Sequence, residues 1–192
     1  MNWHELINKM NDNFPGGGGD MRQRKFQPIL SRVLNEFPGN IIEVGALHGN
    51  STVLFCEMAR EFKRKVFTFD PWNGVECGSE EVYKRYLENT AQYSDVLSTL
   101  RERSDHPRVC DILLANSPIA FAYIDAEHTA AAVFWDFYMV SRFKPPLICV
   151  DDLCRKDVAW GIHNALEVCK EYETTFESPN QYEAYYALRG LK

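Results

Sequence analysis

A chain of 192 residues, 45% of them apolar and 13% aromatic, is long enough for a single domain with a substantial core and too hydrophobic to stay disordered. Its formal charge of -6 argues against a surface built to hold nucleic acid or anionic lipid. Met1-Asn2-Trp3-His4-Glu5 lacks the basic-then-apolar order of an export signal, and no apolar run reaches the roughly 18 residues of a membrane span.

In chain order, residues 1 to 13 read as a short amphipathic helix broken by Pro15 and the run Gly16 to Gly19, and a second helix is predicted from Met21 to Phe37. These first 36 residues form a helical lid segment ahead of a domain over residues 37 to 192. A strand through Ile41-Ile42-Glu43-Val44 leads into a helix over 51–63. Ser51 is suited to cap that helix, and Val53, Leu54, Met58 and Phe62 are spaced to face a sheet. Lys63-Arg64-Lys65 reads as its solvated end. A strand from Lys65 to Asp70 follows, then the loop Pro71-Trp72-Asn73-Gly74, a helix from Glu80 to Tyr93, a weak strand from Val96 to Arg103 and a helix from His106 to Asn116. Strand Ile119–Asp125, helix Thr129–Arg142, strand Leu147–Asp152 and helix 157–172 precede two final strands, Thr174–Glu177 and Tyr182–Leu188, joined by Ser178-Pro179-Asn180-Gln181. Alternating strands and helices imply an α/β fold: a Rossmann-like, doubly wound, mostly parallel seven-stranded sheet with a terminal antiparallel hairpin and helices on both faces. Of the six cysteines (Cys56, Cys77, Cys110, Cys149, Cys154, Cys169) none pairs as Cys-x-x-Cys. That pattern predicts reduced thiols in a cytoplasmic protein with no zinc site.

The turn Gly45-Ala46-Leu47-His48-Gly49-Asn50-Ser51 carries the strongest functional signal. Its two glycines let backbone approach a ligand, and free N–H groups at the following helix start favour a carboxylate or phosphate. Asp70, closing the next strand, stands where an acid can take a ribose diol. Gly-x-x-x-Gly departs from the Gly-x-Gly-x-x-Gly of nicotinamide enzymes, which lowers that alternative. Two later strands also end in acids, Tyr123-Ile124-Asp125-Ala126-Glu127-His128 and Cys149-Val150-Asp151-Asp152. In a parallel sheet Asp125, Asp151 and Asp152 should converge near Gly45 and Asp70, where three carboxylates call for a cation such as Mg²⁺ or Mn²⁺. His128 is placed to act as a general base, or else to cap its helix or bond Glu127.

Phe37 to Thr52, Phe67 to Gly74, Tyr123 to His128 and Val150 to Leu153 together resemble the class I S-adenosylmethionine-dependent methyltransferases. The likeness is greatest to the macrocin-type sugar O-methyltransferases among the small metal-dependent O-methyltransferases, with catechol O-methyltransferase more distant. It covers roughly residues 37 to 190. It implies that Glu43, Gly45, Ala46, Gly49, Asn50 and Ser51 hold the methionine end of S-adenosylmethionine, with Asp70 on its ribose and Trp72 and Asp125 beside it. It further implies Asp125, Asp151 and Asp152 as metal ligands, and His128, with Asp125 next in line, as the base. Arg101-Glu102-Arg103-Ser104-Asp105 stands where the family carries Gly-Asp-Ser, leaving Ser104 as the adenine contact, and Ala126-Glu127 replaces Gly-Asp before the histidine. The expected activity is metal-assisted O-methylation of a small hydroxylated molecule, a sugar or a phenol, with no nucleic-acid or membrane partner and a homodimer left open. The alternatives are a metal-binding, hydroxylase-like relative of the fold and a non-catalytic S-adenosylmethionine-binding protein.

Overall fold

The computed structural model describes residues 19–73, 80–177 and 182–190. The expected helix over residues 1 to 13, most of the glycine run, Gly74 and the Ser178 to Gln181 link lie outside them. In order the chain forms α1 (Gly19–Glu36), β1 (Asn40–Val44), α2 (Asn50–Phe62), β2 (Val66–Phe69), α3 (Glu80–Thr90) with a 3-10 turn (Ala91–Tyr93), β3 (Leu97–Leu100) and α4 (Pro107–Ala115). It continues through β4 (Ile119–Ile124), α5 (Ala130–Ser141), β5 (Leu147–Asp151), α6 (Lys156–Val168), β6 (Tyr172–Glu177) and β7 (Glu183–Leu188).

Seven strands make one sheet in the order β3-β2-β1-β4-β5-β7-β6. All neighbours are parallel except β7, which runs antiparallel to both β5 and β6 and supplies the expected hairpin. Continuous apolar runs such as Ile119–Ile124 suit strands buried on both faces. Along β1, Ile42 and Val44 pack toward α4, α5 and α6, whereas Ile41 packs toward α1 and α2, so the sheet separates two cores. Strand order reverses at β1, with β2 on one side and β4 on the other, which opens a crevice at their C-terminal ends. Among the described residues no helix is long and apolar enough to cross a membrane.

Several boundaries differ from the sequence expectation. Helix α1 begins at Gly19 and ends at Glu36, against Met21 and Phe37, and as expected runs through Pro28, whose missing N–H is tolerated at an exposed position because Ile29, Leu30, Val33 and Leu34 anchor the helix in the core. On α2 the buried face is Thr52, Phe55, Cys56, Met58 and Ala59, and Val53, Leu54 and Phe62 sit at its rim. Apolarity misplaces that stripe because Thr52 turns inward to a buried acid. Strand β3 stops at Leu100, freeing Arg101 to Arg103 for a cleft, and α6 stops at Val168. Tyr172 instead opens β6, its hydroxyl donating to the Pro145 carbonyl at 2.9 Å.

Candidate active site

The C-terminal ends of β1, β2, β4 and β5 share one edge, and the backbone is strained in three of the loops that leave it. Leu47 (φ 48°), Trp72 (φ 45°) and Asp152 (φ 57°) adopt the left-handed conformation that side chains with a Cβ disfavour. Such strain survives only where surrounding contacts enforce it, and it gathers at functional sites. At Gly45 (φ 86°) a Cβ would lie 2.0 Å from the Asp125 carbonyl oxygen, so only glycine lets β1 and β4 leave the sheet this close together.

Asp70 holds this turn in shape. Its Oδ2 accepts from the Ala46 and Leu47 N–H groups at 2.9 and 3.1 Å, and its Oδ1 from the Trp72 N–H at 2.8 Å. The Ala46 and Leu47 N–H groups are therefore taken by Asp70, and the donors expected to meet a ligand anion are those farther on, at the start of α2. A carboxylate has about four acceptor positions, so part of Asp70 still faces outward. The Trp72 indole donates to the Leu47 carbonyl at 2.9 Å and packs on Tyr83 and Tyr86 of α3.

Glu43 is fully enclosed. Ser51 Oγ donates to its Oε1 at 2.6 Å, and Thr52 Oγ1 and Thr68 Oγ1 donate to its Oε2 at 2.6 and 2.9 Å. Burial pushes its pKa from 4.5 to about 7 against those three bonds. In this structure Glu43 shapes the first turn of α2 rather than presenting an oxygen to the crevice. Ser51 spends its hydroxyl on Glu43, and the cap of α2 is Gly49, with no side-chain bond. Ala46 is buried under Trp72, and Asn50 is exposed.

Across the switch point, Asp125, His128 and Asp152 offer one carboxylate oxygen, one ring nitrogen and one carboxylate oxygen, all within 4.8 Å of one another. His128 Nε2 lies 3.1 Å from Asp152 Oδ2 and 3.7 Å from Asp125 Oδ1. Yet that nitrogen is buried and makes no aligned hydrogen bond. The oxygens of Asp125 and Asp152 can hold a divalent ion such as Mg²⁺ or Mn²⁺ beside the His128 ring. Asp151, expected in this set, stands behind it: it is 2% exposed and accepts the Tyr123 hydroxyl at 2.7 Å. Among the described residues the atoms that lie together are those of Asp125, His128 and Asp152.

On its other side, His128 Nδ1 meets Arg155 Nη1 at 2.9 Å. A guanidinium can only donate, so Nδ1 accepts and the neutral ring carries its proton on Nε2. The hydrogen-bonding reach of Asp125 raises the His128 pKa above its ordinary value, opposed by burial and by Arg155.

Beyond β2 and β3 lies a cleft of about 400 Å³ lined by Pro71, Asn73, Arg101, Glu102, Arg103, Asp105 and His106. Arg101 is tied to Glu80 at 2.6 Å and lies 4.7 Å over the Tyr83 ring, and Arg103 is 3.3 Å from both Asp105 and Glu127. Ser104 turns away from this cleft: it is buried and donates to Asp136 of α5. Burial raises the Asp136 pKa to about 6.

Sequence reasoning did not single out Thr52, Thr68, Tyr123 or Arg155. A signal existed for two of them. Thr68 and Tyr123 precede Asp70 and Asp125 by two positions, the strand period that returns a side chain to the same face.

The profile of the family described as Methyltransferase domain matches residues 42–152. No curated protein is similar enough in sequence to count as a match. Among solved structures, CalS11, a TDP-rhamnose 3'-O-methyltransferase of calicheamicin biosynthesis, is 13% identical with a TM-score of 0.64, covering 98% of this chain and 93% of its own. The O-methyltransferase from Bacillus cereus in complex with SAH is 16% identical with a TM-score of 0.64, covering 97% and 90%. TomG from Streptomyces achromogenes, an O-methyltransferase of tomaymycin synthesis solved with SAM, is 10% identical with a TM-score of 0.64, covering 99% and 91%. At such identities the structural likeness establishes the fold, and the family profile spans more than half of the sequence. The chain belongs to the methyltransferase-domain family.

Proposed function

We propose that this methyltransferase moves a methyl group from S-adenosylmethionine to a hydroxyl oxygen of a small molecule, a sugar or a phenol, with a divalent ion held at Asp125 and Asp152. The observation that carries this reading is the meeting, at one edge, of the Gly45 turn, Asp70 and the Asp125, His128 and Asp152 group. The O-methyltransferases of the same fold, solved with SAH or SAM, support both the cofactor and the oxygen acceptor. Among the described residues Cys56, Cys110, Cys149, Cys154 and Cys169 are free thiols, which supports a cytoplasmic setting.

When bound, S-adenosylmethionine would supply a sulfonium methyl, and a divalent ion held by Asp125 and Asp152 would lower the pKa of an acceptor hydroxyl. The chain supplies alignment and proton handling. The Gly45 turn accepts the methionine end, the outward part of Asp70 takes a ribose hydroxyl, and the cleft beyond Pro71 takes the adenine. Trp72, buried against α3, keeps water from the turn. His128 faces the acceptor position with Nε2 and serves as base once its own proton is on Nδ1, which requires Arg155 to leave that nitrogen.

Binding and transfer are tested separately. Calorimetry should detect S-adenosylhomocysteine but not NAD, and labelled cofactor should mark at least one member of a panel of sugars, nucleotide sugars and phenols. His128→Gln should lower turnover by about 10² to 10⁴ with cofactor affinity unchanged, whereas Arg155→Ala should not lower it. Binding of NAD in place of S-adenosylhomocysteine would refute the assignment.

A further inference from the structure

The carboxylates near His128 divide into two kinds. Asp125 and Asp152 have side chains 30% and 26% exposed, and each turns an oxygen to the ring nitrogen. Asp151 is 2% exposed and turns elsewhere. As the last residue of β5 it falls on the α2 side of the sheet, two positions beyond Cys149, which pairs with Tyr123. There its Oδ2 accepts the Tyr123 hydroxyl at 2.7 Å, and its Oδ1 accepts the Asp152 N–H at 2.8 Å.

One bond reaches Asp125 only by way of the Tyr123 hydroxyl, and the other ends on Asp152 itself. The single proton of the Tyr123 hydroxyl is shared, closely with Asp151 and more weakly with Asp125 Oδ2 at 3.3 Å, leaving Asp125 Oδ1 as the oxygen that faces His128. The Tyr123 ring packs edge-on against Phe55 of α2, with centroids 5.5 Å apart, which restrains the hydroxyl. On the other arm, the Asp152 N–H bond steadies a residue at φ 57°, a conformation that swings its carboxylate away from Asp151 and toward His128.

We propose that Asp151 does not ligate the ion but positions the two carboxylates that do, Asp125 through the Tyr123 hydroxyl and Asp152 through its backbone N–H. The inference rests on the reading of a divalent ion at Asp125 and Asp152. Partners of this outer kind fix ligand orientation, and their loss typically costs about 10- to 100-fold in metal affinity.

The test is Mn²⁺ titration of the full chain followed by electron paramagnetic resonance, with coordinated water counted from deuterium modulation in D₂O. Circular dichroism checks the fold of each variant. Wild type should bind Mn²⁺. Asp125→Asn and Asp152→Asn should each weaken binding by more than about 100-fold, and at saturating Mn²⁺ each should show one more water ligand. Asp151→Asn and Tyr123→Phe should each weaken binding by about 10- to 100-fold with the water count unchanged, and the double variant should lose no more than the worse single one. An added water in Asp151→Asn makes Asp151 a ligand and overturns the inference while the metal reading stands. Unchanged affinity in Tyr123→Phe overturns it as well, and does so even if Asp151→Asn fails to fold. Absence of Mn²⁺ binding by wild type overturns both.

Discussion

Glu43 is an acid enclosed without a cation, and the pH dependence of stability should show it. In the folded chain it keeps its proton up to about pH 7, whereas a solvated glutamate releases it near 4.5. Between those values the folded state binds more protons than the unfolded, so stability falls as pH rises through the window. At about 1.4 kcal/mol per pH unit, the loss is on the order of 3 kcal/mol, absent below pH 4.5 and complete above pH 7. Glu43→Gln removes the ionisable group, and the stability difference between variant and wild type, read from urea melts, should shift in favour of the variant by that amount between pH 5 and pH 8. Parallel profiles would mean that Ser51, Thr52 and Thr68 already hold the carboxylate charged at pH 5. The positions of Asp70, Asp125, His128 and Asp152 were legible in the sequence because an acid or histidine just past a strand end is set by the sheet. The orientation of Asp151 was not, because an acid at the end of a strand and its neighbour point to opposite sides, and nothing local says which one meets the ligand.

Among the elements, helices and strands followed from periodicity, while contacts decided their edges. The buried face of α2 depends on Glu43 being inside to receive Thr52, a pairing across separate elements that no window of α2 contains. The α5 and α6 pair shows the same dependence. Gly161 has low helix propensity inside α6, yet a Cβ there would lie 2.6 Å from the Ala130 carbonyl oxygen and 2.9 Å from Val133 Cβ. Gly161→Ala would gain about 1 kcal/mol of helix propensity and lose about 1 to 3 kcal/mol to overpacking. Because one contact is backbone, which cannot swing aside, the upper end should win and chemical denaturation should show a net loss of about 1 to 2 kcal/mol. A stabilised variant would mean that α6 retreats at little cost. The strain would also reach the site, since Ala130 opens α5 two residues after His128.

At the scale of the molecule, the candidate ligand edge takes its groups from both sides of the strand-order reversal: Asp70 and the Gly45 turn from β1 and β2, and Asp125 and Asp152 from β4 and β5. A ligand seated there ties the two halves of the sheet together, so binding should be read in global unfolding rather than in one loop. S-adenosylhomocysteine at about a hundred times its dissociation constant should add about 2.7 kcal/mol, which for a chain of this size raises Tm by roughly 5 to 11 °C. NAD at equal concentration should leave Tm unmoved. Asp70→Asn keeps the side chain's size and one full acceptor but places an amide opposite the donors of Ala46 and Leu47 or of Trp72. It should therefore lower Tm without ligand and remove most of the ligand-induced shift. If Asp70→Asn lowered the starting Tm but kept the full shift, Asp70 would be a staple of the turn alone, and the ribose would have to be held elsewhere along the edge.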